Sequence, residues 1–393
     1  MASPPTPSSR PPGSPRRRRV ALLVESSNAY GRGLLGGVAS YVRAHGNWSI
    51  QLPEMGRGGP VPDWLEAWNG DGILARIENE AMAAAVRAKG LPTIDLSAER
   101  LVPELPWVEV DEGAVGRLAV EHLRGRGFQN LAFCGDDRFR WSALRGNAFA
   151  AEAQGGTQAG TCSMARRDAR PKNDSIAALA EWLAALPRPL GVFACFDRVG
   201  RELVEACSMA GLLVPEEVAV LGADDDELLC DLADPPLSSI RLNPRGAGSL
   251  AAELLTRWMD GEPPGPEGRF IAPLGVRTRR STDVLAIEDP VLARALHFIH
   301  HHAADGIRVD DVVRAAAVSR RVLESRFRER LGRSPHEEIL GARIERIRSL
   351  LLGTELSIAE IARRTGFRHV EYLTVAFKRV VGCTPSTYRD RAG

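Results

Sequence analysis

Two unlike folds are predicted in one chain of 393 residues. Residues 20–280 form a two-lobed α/β body, and residues 290–393 an all-α domain with two helix-turn-helix units. A linker at 281–289 joins them. Three observations predict this. One pattern occurs twice in the last eighty residues. Through the body, short apolar runs alternate with amphipathic stretches, as parallel α/β layers require. Charge divides with the folds: residues 20–284 hold 27 basic and 36 acidic residues, and residues 285–393 hold 19 basic and 14 acidic. The whole-chain balance of +1 hides that division. A basic module on an acidic body fits a nucleic-acid-binding end attached to a part that does not bind nucleic acid.

The first nineteen residues are rich in Pro, Ser and Arg, with five Arg and no acid. They read as a disordered tail without the apolar core of a signal peptide. No run of eighteen apolar residues exists, so no membrane span is expected. In the body, Val20–Val24, Gly72–Ala75, Leu131–Cys134, Gly191–Cys195 and Val218–Gly222 read as buried parallel strands. Gly33–Arg43, Glu80–Ala88, Gly113–Arg124, Ile176–Leu186 and Val199–Ala210 read as the helices between them. The stretch is too long for one comfortable sheet, so two lobes are expected.

The repeat aligns Val309 and Val312 with Ile358 and Ile361, and Phe327, Gly332 and Pro335 with Phe377, Gly382 and Pro385. Each unit is a short amphipathic helix, a tight turn and a second helix. Ser357 with Glu360 three residues on forms a capping box, and Gly366 sits where the chain turns. Leu323 and Phe327, like Leu373 and Phe377, lie at i, i+4 on the second helices. That spacing leaves Arg320, Arg321, Glu324, Ser325 and Arg328 off the buried face of the first unit. In the second it leaves His369, Val370, Glu371, Thr374 and Lys378. Ile339, Leu340, Ile344, Ile347, Leu350 and Leu351 form a long stripe, read as a spacer helix. A tandem of this kind suggests reading of two stretches of groove in double-stranded DNA.

The run Leu356 to Ala362, then Gly366-Phe367, Tyr372-Leu373, Phe377-Lys378-Arg379, Gly382, Thr384-Pro385-Ser386 and Tyr388-Arg389 resembles the signature of AraC-type transcription regulators. That resemblance implies base-reading positions at Arg321, Glu324, Ser325, Val370, Glu371, Thr374 and Val375. Arg and Glu can bond base edges, and Thr or Val can pack on a thymine methyl. Arg320, Arg326, Arg328, Arg368 and Lys378 read as phosphate contacts or solvated surface.

Asp111, Gly116, His122-Leu123, Gly127, Phe193 to Asp197, Val214-Pro215 and Val218 to Asp225 resemble, in order and spacing, the effector domain of LacI/GalR-type repressors. That domain is itself similar to periplasmic sugar-binding proteins. No helix-turn-helix precedes Val20, so DNA binding has moved to the C-terminus. The combination resembles the xylose-operon activators, and Arg280 to Asp283 and Asn28 to Tyr30 look like theirs. A periplasmic-binding-protein-like sensor, a small sugar effector of the xylose type, a homodimer and contact with RNA polymerase are what the resemblance implies. A sugar site needs planar polar groups and an aromatic face, at the carboxyl ends of strands. Asn28, Tyr30, Trp141, Arg145, Asp197 and Asp224 (or Asp225) lie just past predicted strands. Arg145, Asp197 and Asp224 match ligand-binding positions of the resembled family. Alanine at Arg145 or Asp224 is expected to abolish the response without disturbing the fold.

Three other patterns carry less. Gly31 to Gly36 spells GxGxxG, but six residues separate it from the strand, which argues against a dinucleotide site. His297, His300, His301 and His302 lack a third ligand in register and read as an exposed helix end. The cysteines at 134, 162, 195, 207, 230 and 383 show no CxxC or metal spacing and read as reduced thiols in a cytoplasmic protein. No cofactor or catalytic constellation is expected. The competing class is a DNA-modifying or repair enzyme that docks through its AraC-like domain, which would need an activated cysteine.

Overall fold

The computed structural model describes residues 17–46, 48–154, 162–167, 172–283 and 289–390. Most of the expected tail, residues 1–16, lies outside them, as do 284–288 of the linker and the side chain of Cys162. The first lobe is built from β1 (Arg18–Leu23), α1 (Ala29–His45), β2 (Trp48–Gln51), α2 (Trp64–Ala67), β3 (Gly72–Ala75), α3 (Glu80–Lys89), β4 (Thr93–Asp95) and β5 (Val108–Val110). Its sheet has the order β2-β1-β3-β4, all parallel. Arg18 and Arg19, expected in the tail, are the first residues of β1: Arg19 N–H donates to Asp71 and pairs in register with Ser49.

The second lobe follows as α4 (Glu112–Arg124), β6 (Asn130–Asp136), α5 (Arg140–Gln154), β7 (Cys162–Arg167), α6 (Lys172–Ala185), β8 (Leu190–Ala194), α7 (Asp197–Met209), β9 (Val218–Ala223), α8 (Glu227–Asp231) and β10 (Ser238–Arg241). The chain then returns to the first lobe as α9 (Pro244–Met259) and β11 (Arg269–Ile271), and comes back as β12 (Gly275–Arg277). The second sheet has the order β12-β10-β9-β8-β6-β7, with β12 antiparallel to β10, and β11 pairs β5 in a short parallel ribbon. The chain therefore passes between the lobes three times.

Helix α9 packs on α1 closely enough that glycine is required. A Cβ on Gly248 would sit 2.0 Å from the Leu34 carbonyl oxygen, and one on Gly37 2.1 Å from that of Arg245. The GxGxxG run thus begins a glycine-rich helix face pressed against another helix, which explains the glycines without a nucleotide. Ser281 and Thr282, expected in the linker, are fully buried in a 3₁₀ turn. Ser281 Oγ donates to Val220 O (2.5 Å), Thr282 Oγ1 to Ser238 Oγ (2.8 Å), and Arg126 Nε to Thr282 O (2.6 Å). The exit from the body is strapped to β9 and β10.

The C-terminal domain holds α10 (Pro290–His302), α11 (Val309–Ala316), α12 (Arg320–Leu331), α13 (Pro335–Gly353), α14 (Ile358–Arg364), α15 (Val370–Val381) and α16 (Pro385–Asp390). Units α11–α12 and α14–α15 have separate cores. Leu323, Phe327 and Ile339 pack with α10 and α11 in one, and Leu373 and Phe377 with Ile344, Ile347, Leu350 and Leu351 in the other. Helix α13 is therefore more than the spacer expected: it is a wall of both cores. The turns are left-handed at Ala317 (φ +54°) and Gly366 (φ +74°). A Cβ on Gly366 would lie 2.8 Å from the Gly306 nitrogen, so the two units abut there. No helix among the described residues is long and apolar enough to cross a membrane.

Candidate ligand cleft and DNA-reading surface

The facing ends of the two sheets enclose a cleft lined by Tyr30, Arg57, Arg76, Leu96, Glu109, Glu112, Trp141, Arg145, Asp224 and Leu242. Most of these lie at or just beyond the carboxyl end of a strand, where parallel sheets place ligands. Four of the six residues expected from sequence are in the wall: Tyr30, Trp141, Arg145 and Asp224. Asn28 is not; it caps α1, accepting from Gly31 N–H (2.8 Å) and donating to Glu25 (3.0 Å). Asp197 is buried behind the wall. It accepts from Ser239 Oγ (2.5 Å) and from Asp226 N–H (2.7 Å), shaping the loop that carries Asp224.

The wall is charged yet balanced. Arg145 makes a fork with Glu112, Nε to Oε2 at 2.6 Å and Nη2 to Oε1 at 2.9 Å, and also donates to the Cys195 carbonyl. Arg76 spans Glu25 and Glu78, at 2.6 Å each, beneath the Tyr30 ring. Arg100 holds Glu109 (2.8 Å). Trp141 stacks on Phe139 with centroids 5.3 Å apart and meets the edge of Phe196, while the Arg57 guanidinium lies 5.2 Å from its ring. Its Nε1 donor is buried and has no hydrogen-bond partner among the described residues, which is costly unless a bound molecule accepts it. Asp224 has φ +105°, a strained conformation for a residue with a Cβ. Burial, partly offset by Arg145, pushes its carboxyl up to about 6. Burial likewise raises Glu109 to about 7 and keeps the Tyr30 hydroxyl protonated. An aromatic plate, an unpartnered indole N–H and a strained carboxylate among fixed arginine forks suit a neutral polyhydroxylated ring. Only about 20 Å³ between the walls admits the centre of a water molecule. A ring therefore enters only if the lobes or the Arg57 loop move.

Sequence reasoning missed Arg57, Arg76, Glu109 and Glu112. Arg76 follows directly on the expected strand Gly72–Ala75, so the rule that named Asn28 also points to it.

On the DNA-reading side, Arg321, Glu324, Arg328, His369, Glu371 and Val375 are exposed along α12 and at the start of α15. Arg320 is held by Glu324 (2.9 Å) and Asp310 (3.3 Å), and Ser325 Oγ donates to Glu329 (2.6 Å). Val370 is half-buried against the second core. Thr374 donates its hydroxyl to Val370 O (2.9 Å), which leaves its methyl as the free group. Tyr372 and Val375, 70% and 68% exposed, add apolar surface to the same helix. Arg326, expected at phosphate or solvent, is instead paired with Asp289, the cap of α10.

Two of the four histidines depart from expectation. His301 and His302 are exposed at the end of α10, but His297 and His300 are part of the junction between the body and the C-terminal domain. Glu216, 0% exposed and two residues ahead of β9, faces His300 Nδ1 (3.1 Å) and His297 Nδ1 (3.4 Å), and His300 Nε2 meets Glu338 of α13 (3.3 Å). Arg333 also pairs with Glu338, while Arg280 and His301 lie close by. Burial opposes charge on both main partners. The histidine hydrogen bonds nevertheless hold Glu216 down at about 2, and the two carboxylates raise His300. A raised histidine contributes fully below its ordinary 6.5 and is lost as pH climbs through its folded value; a depressed glutamate is lost only as pH falls towards 2. The junction should therefore weaken above pH 6.5. Thermal midpoints measured upward from that pH should fall more steeply for the natural chain than for His300→Gln. Parallel curves would show that His300 does not carry this dependence.

The four described body cysteines are buried. Burial raises Cys195 and Cys207 to about 12, and raises Cys230 as well. That is the opposite of an activated nucleophile.

A two-lobed effector domain strapped to tandem helix-turn-helix units defines a DNA-binding transcription regulator. Comparison with known proteins agrees. A XylR N-terminal domain model matches residues 19–112, a periplasmic binding protein-like domain model residues 120–282, and a helix-turn-helix domain model residues 312–391. The chain is 33% identical to the xylose operon regulatory protein of Escherichia coli (strain K12), over 95% of this chain and 97% of that one. It is 28% identical to the protein so named in Haemophilus influenzae, over 94% and 98%. A solved structure titled as the xylose-binding transcription activator xylR superposes with a TM-score of 0.84 at 31% identity, covering 95% of this chain and 98% of the other. This chain belongs to the family of xylose operon regulatory proteins.

Proposed function

We propose that this protein is a cytoplasmic, sugar-dependent activator whose effector is xylose or a closely related pentose, and that it acts as a homodimer on double-stranded DNA and through RNA polymerase. The observation that carries the reading is the cleft wall of Trp141, Asp224 and the Arg145–Glu112 fork, on a body whose second lobe also holds the DNA-binding domain. The cleft is the sugar seat, and Arg321, Glu324, Val370, Glu371 and Val375 read bases. Both helix-turn-helix units engage, so one chain covers two groove faces about one turn, roughly 10 base pairs, apart. The relatives' names support xylose, and the balance of arginines and carboxylates favours a neutral ring over a sugar acid.

Closing the lobes on the sugar resets the strap at Arg280–Thr282 and the Glu216 junction. A ligand shifts such an equilibrium only through differential affinity, and the coupling is reciprocal. Titrating xylose by calorimetry, with and without a duplex selected by the full chain from a random pool, tests this. DNA should tighten sugar binding by the factor by which sugar tightens DNA binding. Equal affinities in both titrations would remove DNA affinity as the route. No binding of any pentose would remove the effector assignment.

A further inference from the structure

Between the two helix-turn-helix units lies a notch of about 830 Å³, floored by α13. Arg320, the first residue of α12, and Arg368, two residues ahead of α15, stand on its walls. It therefore opens between the ends of the two helices that carry the base-reading positions. The abutment of Gly306 and Gly366 fixes its waist.

Its charges are unbalanced. Five arginines line it against two aspartates. Both aspartates are already engaged, Asp305 with His302 (2.9 Å) and Asp310 with Arg320 (3.3 Å). Arg363 is paired with Glu360. Among the described residues, Arg308, Arg343 and Arg368 have no carboxylate within ion-pair distance. Arg343 is the most telling of the three. It is half-buried on the floor, with Nε donating to Ala303 O (2.8 Å) and Nη2 to Ile307 O (2.9 Å), while its Nη1 makes no hydrogen bond among the described residues. Burial disfavours its charge, and besides the two carbonyls it has the face of Phe367, 5.7 Å from the guanidinium carbon. A fixed, part-buried guanidinium without a counter-charge costs stability unless an anion arrives from outside.

We infer that the notch is a phosphate seat for the DNA backbone between the two recognised grooves, with Arg308, Arg343 and Arg368 as its ligands. The spacing of the two readers on the duplex is then set by backbone fit as well as by base contacts. This rests on the reading that both units engage one duplex.

The experiment uses the full chain and the selected duplex, with affinity measured across salt concentrations. Each phosphate contact contributes roughly 0.9 to the slope of log K against log salt. Arg308→Gln, Arg343→Gln and Arg368→Gln should each flatten the slope by about 1 and weaken all sequences alike, leaving base preference unchanged. Arg308 and Arg368 are exposed, so their variants report even if the floor residue disturbs folding. Neutral methylphosphonates at the central phosphates should weaken the natural chain and leave the triple variant unaffected. Inorganic phosphate at constant ionic strength should not compete; competition lost in the triple variant would make the notch a small-anion site and overturn the proposal. An unchanged slope, or equal weakening by methylphosphonate in both proteins, overturns it too. If the natural chain selects no duplex at all, the DNA reading falls first.

Discussion

Arg145→Ala should cost the sensor about 3–5 kcal/mol, because it strands the Glu112 carboxylate in the wall without its partner. Arg145 is 2% exposed and makes the two-bond fork described above. The sequence suggests alanine here as a clean probe of ligand response; the buried pair makes it a folding mutation first. The informative comparison is Arg145→Met with Glu112→Leu together, which removes both charges in similar volume. Urea unfolding should show the double variant recovering most of the lost stability, while xylose binding stays lost. If the double variant binds sugar normally, the fork holds the wall and does not touch the ligand. Asp224→Asn is the gentler probe, because no fork is broken there.

Truncating Phe377 to alanine should remove roughly 3–5 kcal/mol from the second helix-turn-helix unit. Phe377 is 0% exposed, meets Tyr388 edge-on at 5.5 Å and belongs to the second core alone. The first core, around Phe327, should survive. Footprinting should then show one protected groove segment per chain in place of two. Two segments of undiminished protection would mean that α13 holds the second unit together without its own core.

The sequence made the tandem repeat legible because its signals are local: caps, turn residues and i, i+4 apolar pairs recur at a fixed offset. The long apolar strands β1, β3, β6, β8 and β9 were legible for the same reason. Strands β4 and β5 have three residues each, too few for any pattern, and with β5 went Glu109 and the neighbouring Glu112. Helix α5 has no counterpart among the helices expected from sequence, yet its first two turns put Trp141 and Arg145 on one buried face. Arg57 sits in a loop with no periodicity at all. The junction was illegible for a further reason: His300 and Glu216 are 84 residues apart, and neither sequence context hints at the other.

The position of Glu216 has a consequence for descent and for design. The ion pairs and hydrogen bonds from body to C-terminal domain described here, His297 and His300 with Glu216, involve only the second lobe. So do the bonds that anchor the exit strap. Glu216 and Asp224 flank opposite ends of β9, a rod of about 20 Å at strand rise. The first lobe contributes Tyr30, Arg57, Arg76 and Glu109 to the cleft and no part of that attachment. It can be exchanged, by recombination or in the laboratory, to admit a different sugar while the inherited operator stays in use. A graft of the second lobe has to bring its own DNA-binding domain with it.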